Sequence, residues 1–215
     1  MGRHNQPSPP QVSMRPAPSL KTLRDQIADQ LRNEILSHQH GADTPLREEE
    51  LAARFGTSRG PVRDVLLQLT QEGALVYRPN AGVRVCPPPD ADTRALLMSL
   101  RKQIELHALP VFLKKFTAED ETALRDILET MERACRKGNM SDIVGSDIAL
   151  HRYIVRSGAA PEVEKVWLHV AVRILMAYSR VPNHMEIHRE HLRIVDALCS
   201  KNLKASRDAL TANLI

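Results

Sequence analysis

The chain has 215 residues, 42% of them hydrophobic but only 3% aromatic, with a formal net charge of +4. That length suits two small domains, each burying a core of Leu, Ile, Val, Ala and Met. No apolar run approaches the roughly 20 residues of a membrane-spanning helix; Cys86, Cys135 and Cys199 are too scattered and odd in number for a disulfide framework or zinc knuckle, which points to the reducing cytoplasm.

Residues 1–19 include Pro7, Pro9, Pro10, Pro16 and Pro18 and lack the apolar core of a signal peptide, so a flexible tail is expected there. Leu20, Leu23, Ile27, Leu31 and Ile35 recur at three- and four-residue steps and predict an amphipathic helix, closed by Gly41 and Pro45. A shorter helix is expected from Arg47 to Phe55. Gly56-Thr57-Ser58 then makes a tight turn into a third helix, from Arg59 to Glu72. Ser58 suits its N-cap, Pro61 its first turn and Gly73 its C-terminal stop. Ala74 to Arg78 and Val83 to Val85 are β-prone runs around Pro79-Asn80-Ala81-Gly82, which predicts a hairpin.

Three helices followed by a hairpin make a winged helix-turn-helix over residues 20–86. Pro87-Pro88-Pro89 opens a stiff linker, 87–92. From residue 93 to 215 only helical periodicity remains. Helices are expected over Thr93–Phe116, Ala118–Lys137, Ser141–Arg156, Pro161–Arg180, His184–Ser200 and from Leu203 to the end. Thr117 with Asp120 resembles a capping pair, Gly138-Asn139 and Ser157-Gly158 supply breaks, and Pro110 falls inside the first of these helices. The fold class is therefore mainly α: a winged helix-turn-helix followed by an all-α six-helix bundle.

In a helix-turn-helix the N-terminal turns of the second helix enter the major groove. Here those turns carry Ser58, Arg59 and Arg63, the two arginines four apart and hence on one face. Arginine can pair bidentately with guanine, which is worth roughly 1–3 kcal/mol against a wrong base. Arg78 and Arg84 flank the hairpin tip, where phosphate or minor-groove contacts are made. On an isolated helix Arg59 and Arg63 would read as a solvated face; with the turn and wing in order they read as a recognition surface. Residues 20–86 hold nine Lys/Arg and nine Asp/Glu, so the arrangement of charge, not its sum, must do the work. Glu48-Glu49-Glu50 suit the N-terminal dipole of their helix, and at least one of them must face away from DNA or repel it.

The run LREEELAARFGTSRGPVRDVL, residues 46–66, resembles the signature of the GntR family of bacterial regulators, and Leu69, Gly73, Leu75, Gly82 and Val85 continue the likeness. The resemblance implies operator contacts at Arg59 and Arg63 and a wing glycine at Gly82; Glu49 stands where some members carry a further arginine. The helical half resembles the FCD effector domain at Arg101, Glu105, Asp147, His151, Trp167 and Glu190-His191. Asp147 and His151 are four apart, a spacing suited to chelating one ion. The resemblance adds His191 as a ligand and a last position in the final helix, which is Asn213 here rather than histidine. A divalent metal (Zn, Ni or Mn) weakened by a neutral carbonyl ligand is one reading; a polar pocket without metal is the other. Of His184, His188 and His191, which share a helix face, only His191 matches the family position; His107 and His169 read as packing or surface residues.

The resemblance places Arg101 at the base of the same pocket, able to hold an effector carboxylate by a forked pair of hydrogen bonds. An interhelix salt bridge is its alternative. The function implied is a homodimeric repressor on a palindromic double-stranded operator, switched by a small carboxylate effector binding at Arg101, Asp147, His151 and His191. A metal-dependent hydrolase is the rival, but no nucleophile–base pair accompanies the metal cluster. An architectural DNA-binding protein would leave a costly buried polar set without an occupant.

Overall fold

The computed structural model describes residues 22–177 and 183–214. The expected tail at 1–19, Leu20 and the predicted end of the fourth bundle helix at Arg180 lie outside them. Helix α1 (Leu23–Leu36) starts at a capping box: Thr22 Oγ1 accepts from Asp25 N–H at 3.2 Å, and Asp25 Oδ2 accepts from Thr22 N–H at 3.1 Å. It is followed by α2 (Glu48–Arg54) and α3 (Arg59–Gln71). Ser58 sits at the N-cap of α3 as expected, but its side chain makes no capping hydrogen bond. Gly73 ends that segment with φ of 80°, a left-handed conformation that only glycine adopts cheaply.

Strands β1 (Leu75–Arg78) and β2 (Gly82–Val85) form an antiparallel hairpin that pairs Leu75 with Val85 and Arg78 with Gly82. Asn80 and Gly82 take the positive φ values the turn requires. The segment before α2 adds to the free edge of β2: Leu46 N–H donates to Val83 O, and Val85 N–H donates to Thr44 O, both at 3.0 Å. This pairing buttresses the wing.

The second half contains α4 (Ala91–Lys114), α5 (Ala118–Lys137), α6 (Met140–Gly158), α7 (Pro161–Leu175), α8 (His184–Cys199) and α9 (Leu203–Asn213). Helix α4 begins two residues before the sequence expectation because Asp90 accepts from Thr93 N–H at 2.7 Å. The Thr117–Asp120 box caps α5 as predicted. The break expected at Ser157-Gly158 falls just after it, at 159–160: Gly158 is the last residue of α6, and a Cβ there would sit 2.1 Å from the Ala108 carbonyl oxygen. A glycine there lets α4 and α6 cross backbone to backbone.

The two halves do not keep separate cores. The largest apolar cluster runs from Ile27, Leu31 and Leu69 in the first half through Val144, Ile148, Trp167 and Val172 in the second. Close packing of α1 on α6 is the physical reason: the Asn33 side chain lies where a Cβ on Gly145 would be, 2.3 Å from Asn33 Nδ2. Polar ties reinforce this contact at the other end. His169 Nδ1 donates to Gln71 O at 3.0 Å, and Arg173 reaches Gly73 O at 3.3 Å and Pro87 O at 2.9 Å. His169, read from sequence as a packing or surface residue, thus holds the C-terminal end of α3.

Candidate DNA-reading surface and metal centre

Arg59 and Arg63 project from the first turns of α3 and are 63% and 67% exposed. Neither is free. Arg63 donates from Nε and Nη2 to the Glu48 carboxylate at 2.9 and 3.0 Å, and Arg59 Nη2 lies 3.5 Å from it. The Arg63 hydrogen bonds hold the Glu48 carboxyl below its ordinary range. Sequence reasoning assigned Glu48 to the helix dipole; its role as a shared anchor for both arginines depends on how α2 packs against α3.

Arg78 lies at the hairpin tip and pairs with Asp43 at 2.6 Å. Arg84 is opposite Val76, away from the tip, half-buried, with Nη1 donating to Asp43 O at 2.7 Å. A crevice of about 910 Å³ between α2 and the wing is lined by Arg47, Glu48, Arg59, Tyr77, Gly82 and Arg84. Ser58 is exposed beside it.

The second constellation is buried. Asp147 and His151 come from α6 and His191 from α8, and one ligand atom from each lies within 4.8 Å of the others. His151 is 0% and His191 2% exposed. Each imidazole has one nitrogen engaged: His151 Nδ1 is 2.7 Å from Glu105 Oε2, and His191 Nδ1 is 2.7 Å from Ile187 O. A carboxylate and a carbonyl only accept, so both Nδ1 atoms carry hydrogen and both Nε2 atoms present lone pairs. Those two Nε2 atoms and Asp147 Oδ1 are buried without a hydrogen-bond partner among the described residues. Burial pushes His191 down to about 4, which keeps it neutral. Two lone pairs and a carboxylate oxygen converging in a largely buried site fit a divalent transition metal.

Glu105 organises this centre. Besides His151, it accepts from Arg101 Nε and Trp167 Nε1, each at 2.8 Å, and it is fully buried. Burial would raise its carboxyl, but the Arg101 charge and the hydrogen bonds donated by His151 and Arg101 outweigh that and bring it to about 2. Arg101 is buried too, bonded to Glu105 and 3.5 Å from Asp147 Oδ1, so the interhelix ion pair named as its alternative is present. Asn213 faces the same region: its Nδ2 donates to Glu190 at 3.4 Å, leaving a neutral carbonyl as its only ligand atom. A cavity of about 670 Å³ opens from Asp147, His191, Arg101 and Asn213.

A winged helix-turn-helix packed against a helical bundle, with a mostly aliphatic cavity next to buried polar groups, fits a one-chain, DNA-binding transcription regulator. Sequence comparison agrees. Residues 23–85 match the bacterial regulatory proteins of the gntR family, and residues 96–214 match the FCD domain. The chain belongs to the GntR family, with an FCD second half. It is 27% identical over 194 residues to the "Probable D-xylose utilization operon transcriptional repressor" of Paenarthrobacter nicotinovorans, covering 88% of this chain and 84% of that one. It is 25% identical over 199 residues to the HTH-type transcriptional regulator McbR of Escherichia coli K12, covering 88% of each. The solved structure of E. coli McbR/YncC shares the fold, with a TM-score of 0.73 and 22% identity over 91% of this chain and 94% of that one. These relatives are regulators, and the enzyme alternative falls with them.

Proposed function

We propose that the protein is a cytoplasmic, ligand-responsive repressor whose operator affinity is set by a small molecule bound beside a metal in the helical half. Residues 20–86 form the DNA-binding unit, 87–92 the linker and 93–215 the sensing and dimerising unit. Asp147, His151 and His191 hold Zn, Ni or Mn, with Asn213 as a weak fourth ligand, and Arg101 borders the effector. When bound, the metal supplies a cationic Lewis-acid centre for an anionic group. The protein's own part is to orient both imidazoles through Glu105 and Ile187.

The carrying observation is the cluster of buried ligand atoms without hydrogen bonds, Asp147 Oδ1, His151 Nε2 and His191 Nε2, with Asp147 and His191 lining the cavity. The Arg101 guanidinium, 3.5 Å from Asp147 Oδ1, offsets the carboxylate, but an apo state leaves both imidazole nitrogens desolvated without a hydrogen bond, which is costly. Ser58, Arg59 and Arg63 read base edges, while Arg78, Gly82 and Arg84 place the wing on the sugar-phosphate backbone. Leu96, Leu100 and Val111 stand exposed on one face of α4, opposite the cavity, which supports a homodimer on a palindromic operator.

Effector occupancy has a short physical route to the reading head. His151 bonds Glu105, Glu105 bonds Trp167, and two residues along α7 His169 holds the end of α3. Elemental analysis of purified protein, with operator-binding curves before and after chelation, tests the proposal. Metal bound at these residues and a chelator-sensitive operator affinity are expected. Protein that stays metal-free after loading with Zn²⁺, Ni²⁺ and Mn²⁺ in turn would overturn the metal centre.

A further inference from the structure

The lining of the cavity restricts what can occupy it. Eleven of its seventeen lining residues are aliphatic, among them Met98, Ile143, Val144, Ile174 and Leu214. No hydroxyl side chain lines it among the described residues, and Asn213 is its one neutral amide. Asn213 is already bonded to Glu190. A polyhydroxylated ligand such as a sugar acid would bury hydroxyls with nothing to pair them, which selects against it.

The charges are divided between the two ends. At the metal-ligand end one arginine, Arg101, stands against three carboxylates, Glu105, Asp147 and Glu190. An anion is repelled there until a divalent cation joins the set. The other end carries Arg94, which also lines the cavity, is exposed and makes no ion pair among the described residues. Arg94 and Arg101 are seven residues apart on α4, so they share a face and are separated by about 10 Å along the helix axis. Met98 lies between them on the same face.

We propose that the effector is an elongated aliphatic dicarboxylate, one carboxylate at the Asp147–His151–His191 end and the other at Arg94, with its hydrocarbon chain along the aliphatic wall between. This rests on the metal-dependent sensor proposed above. It assigns Arg94, which sequence reading passed over, as the residue that distinguishes a diacid from a monoacid. Because Arg94 is three residues into α4, the second carboxylate also binds beside the linker that leads to the wing.

The test is calorimetric titration of Zn²⁺-loaded full-length protein with suberate, octanoate and glucarate, with emission from Trp167, the chain's one tryptophan, as an independent readout. Suberate is expected to bind roughly tenfold more tightly than octanoate, one charge-assisted contact's worth, with glucarate weaker than both. Arg94→Gln should bring suberate to the level of octanoate and leave octanoate unchanged. Glucarate binding as well as suberate, or suberate indifferent to Arg94→Gln, overturns the proposal while the sensor survives. If Zn²⁺ binds and shifts Trp167 emission but none of the acids does, the dicarboxylate assignment alone is lost. If Zn²⁺ itself neither binds nor shifts the emission, the sensor reading falls with it.

Discussion

Replacing Glu105 by glutamine changes one atom and should disable the proposed metal centre. In the wild-type protein Oε1 accepts from Arg101 and Trp167 and Oε2 faces His151 Nδ1. A glutamine can keep its carbonyl on the first pair, but its amide nitrogen then donates to His151 Nδ1. That forces the imidazole hydrogen onto Nε2, where the ligand lone pair was. Losing such a supporting partner lowers metal affinity by about 10–100-fold. The substitution also removes one charge from a buried ion pair, a change that costs about 3–5 kcal/mol when the remaining charge is stranded. Asp147, 3.5 Å from Arg101, still offsets that charge, which places the cost near 3 kcal/mol. For a chain of this size each kcal/mol moves the midpoint by about 2–4 °C, so a drop of roughly 6–12 °C is expected. Zn²⁺ titration followed by Trp167 emission, with thermal melting of the chelated protein, reads both effects. Wild-type Zn²⁺ affinity in Glu105→Gln would refute the tautomer argument, and an unchanged melting point would refute the buried pair.

Arg59→Ala and Arg63→Ala should each weaken operator binding by about 1–3 kcal/mol with the fold intact; equal losses on operator and scrambled DNA would show phosphate contact only. Asn213→His should tighten metal binding by adding a nitrogen donor, and elemental analysis after dialysis against a weak chelator would detect it. Gly158→Ala puts a methyl group against the Ala108 carbonyl, so an overpacking cost of about 1–3 kcal/mol or more should appear in urea denaturation. Glu34 has its carboxyl held low: burial opposes this, but hydrogen bonds from Arg54, Gln30 and His40 prevail. A depressed carboxylate stabilises above its unfolded-state pKa and loses that contribution as pH falls through the folded-state value. Glu34→Gln should therefore cost stability at neutral pH and flatten the acid limb of the stability profile, with little difference remaining in strong acid.

Much of the molecule was legible one turn at a time. The Thr117–Asp120 box, Gly73 past the end of α3 and Gly82 in the wing are local devices, and each turned up where its residues predict. Asp147 and His151 were legible as a pair because the helical repeat alone puts them on one face. His191 was reached only through a family resemblance, since no local rule brings α8 to α6. Glu105 gave no signal of its own: an Arg and a Glu four apart usually form a solvated surface pair, and burying this one required α6 and α7 to pack over α4. Gly158 read from sequence as a stop, and α6 does end at it, but its second reason, the Ala108 carbonyl of the crossing helix, was out of view. The same holds for His169 and Arg173, whose partners Gln71 and Gly73 are about a hundred residues away in the chain. Propensity and capping act through backbone bonds within a few residues, so the sequence by itself determined the elements and the chemistry on each face. Which faces meet depends on desolvation and steric fit between distant segments, and only the tertiary structure decided that α4, α6 and α8 would enclose the candidate ligands Asp147, His151 and His191 and that α7 would hold the end of α3.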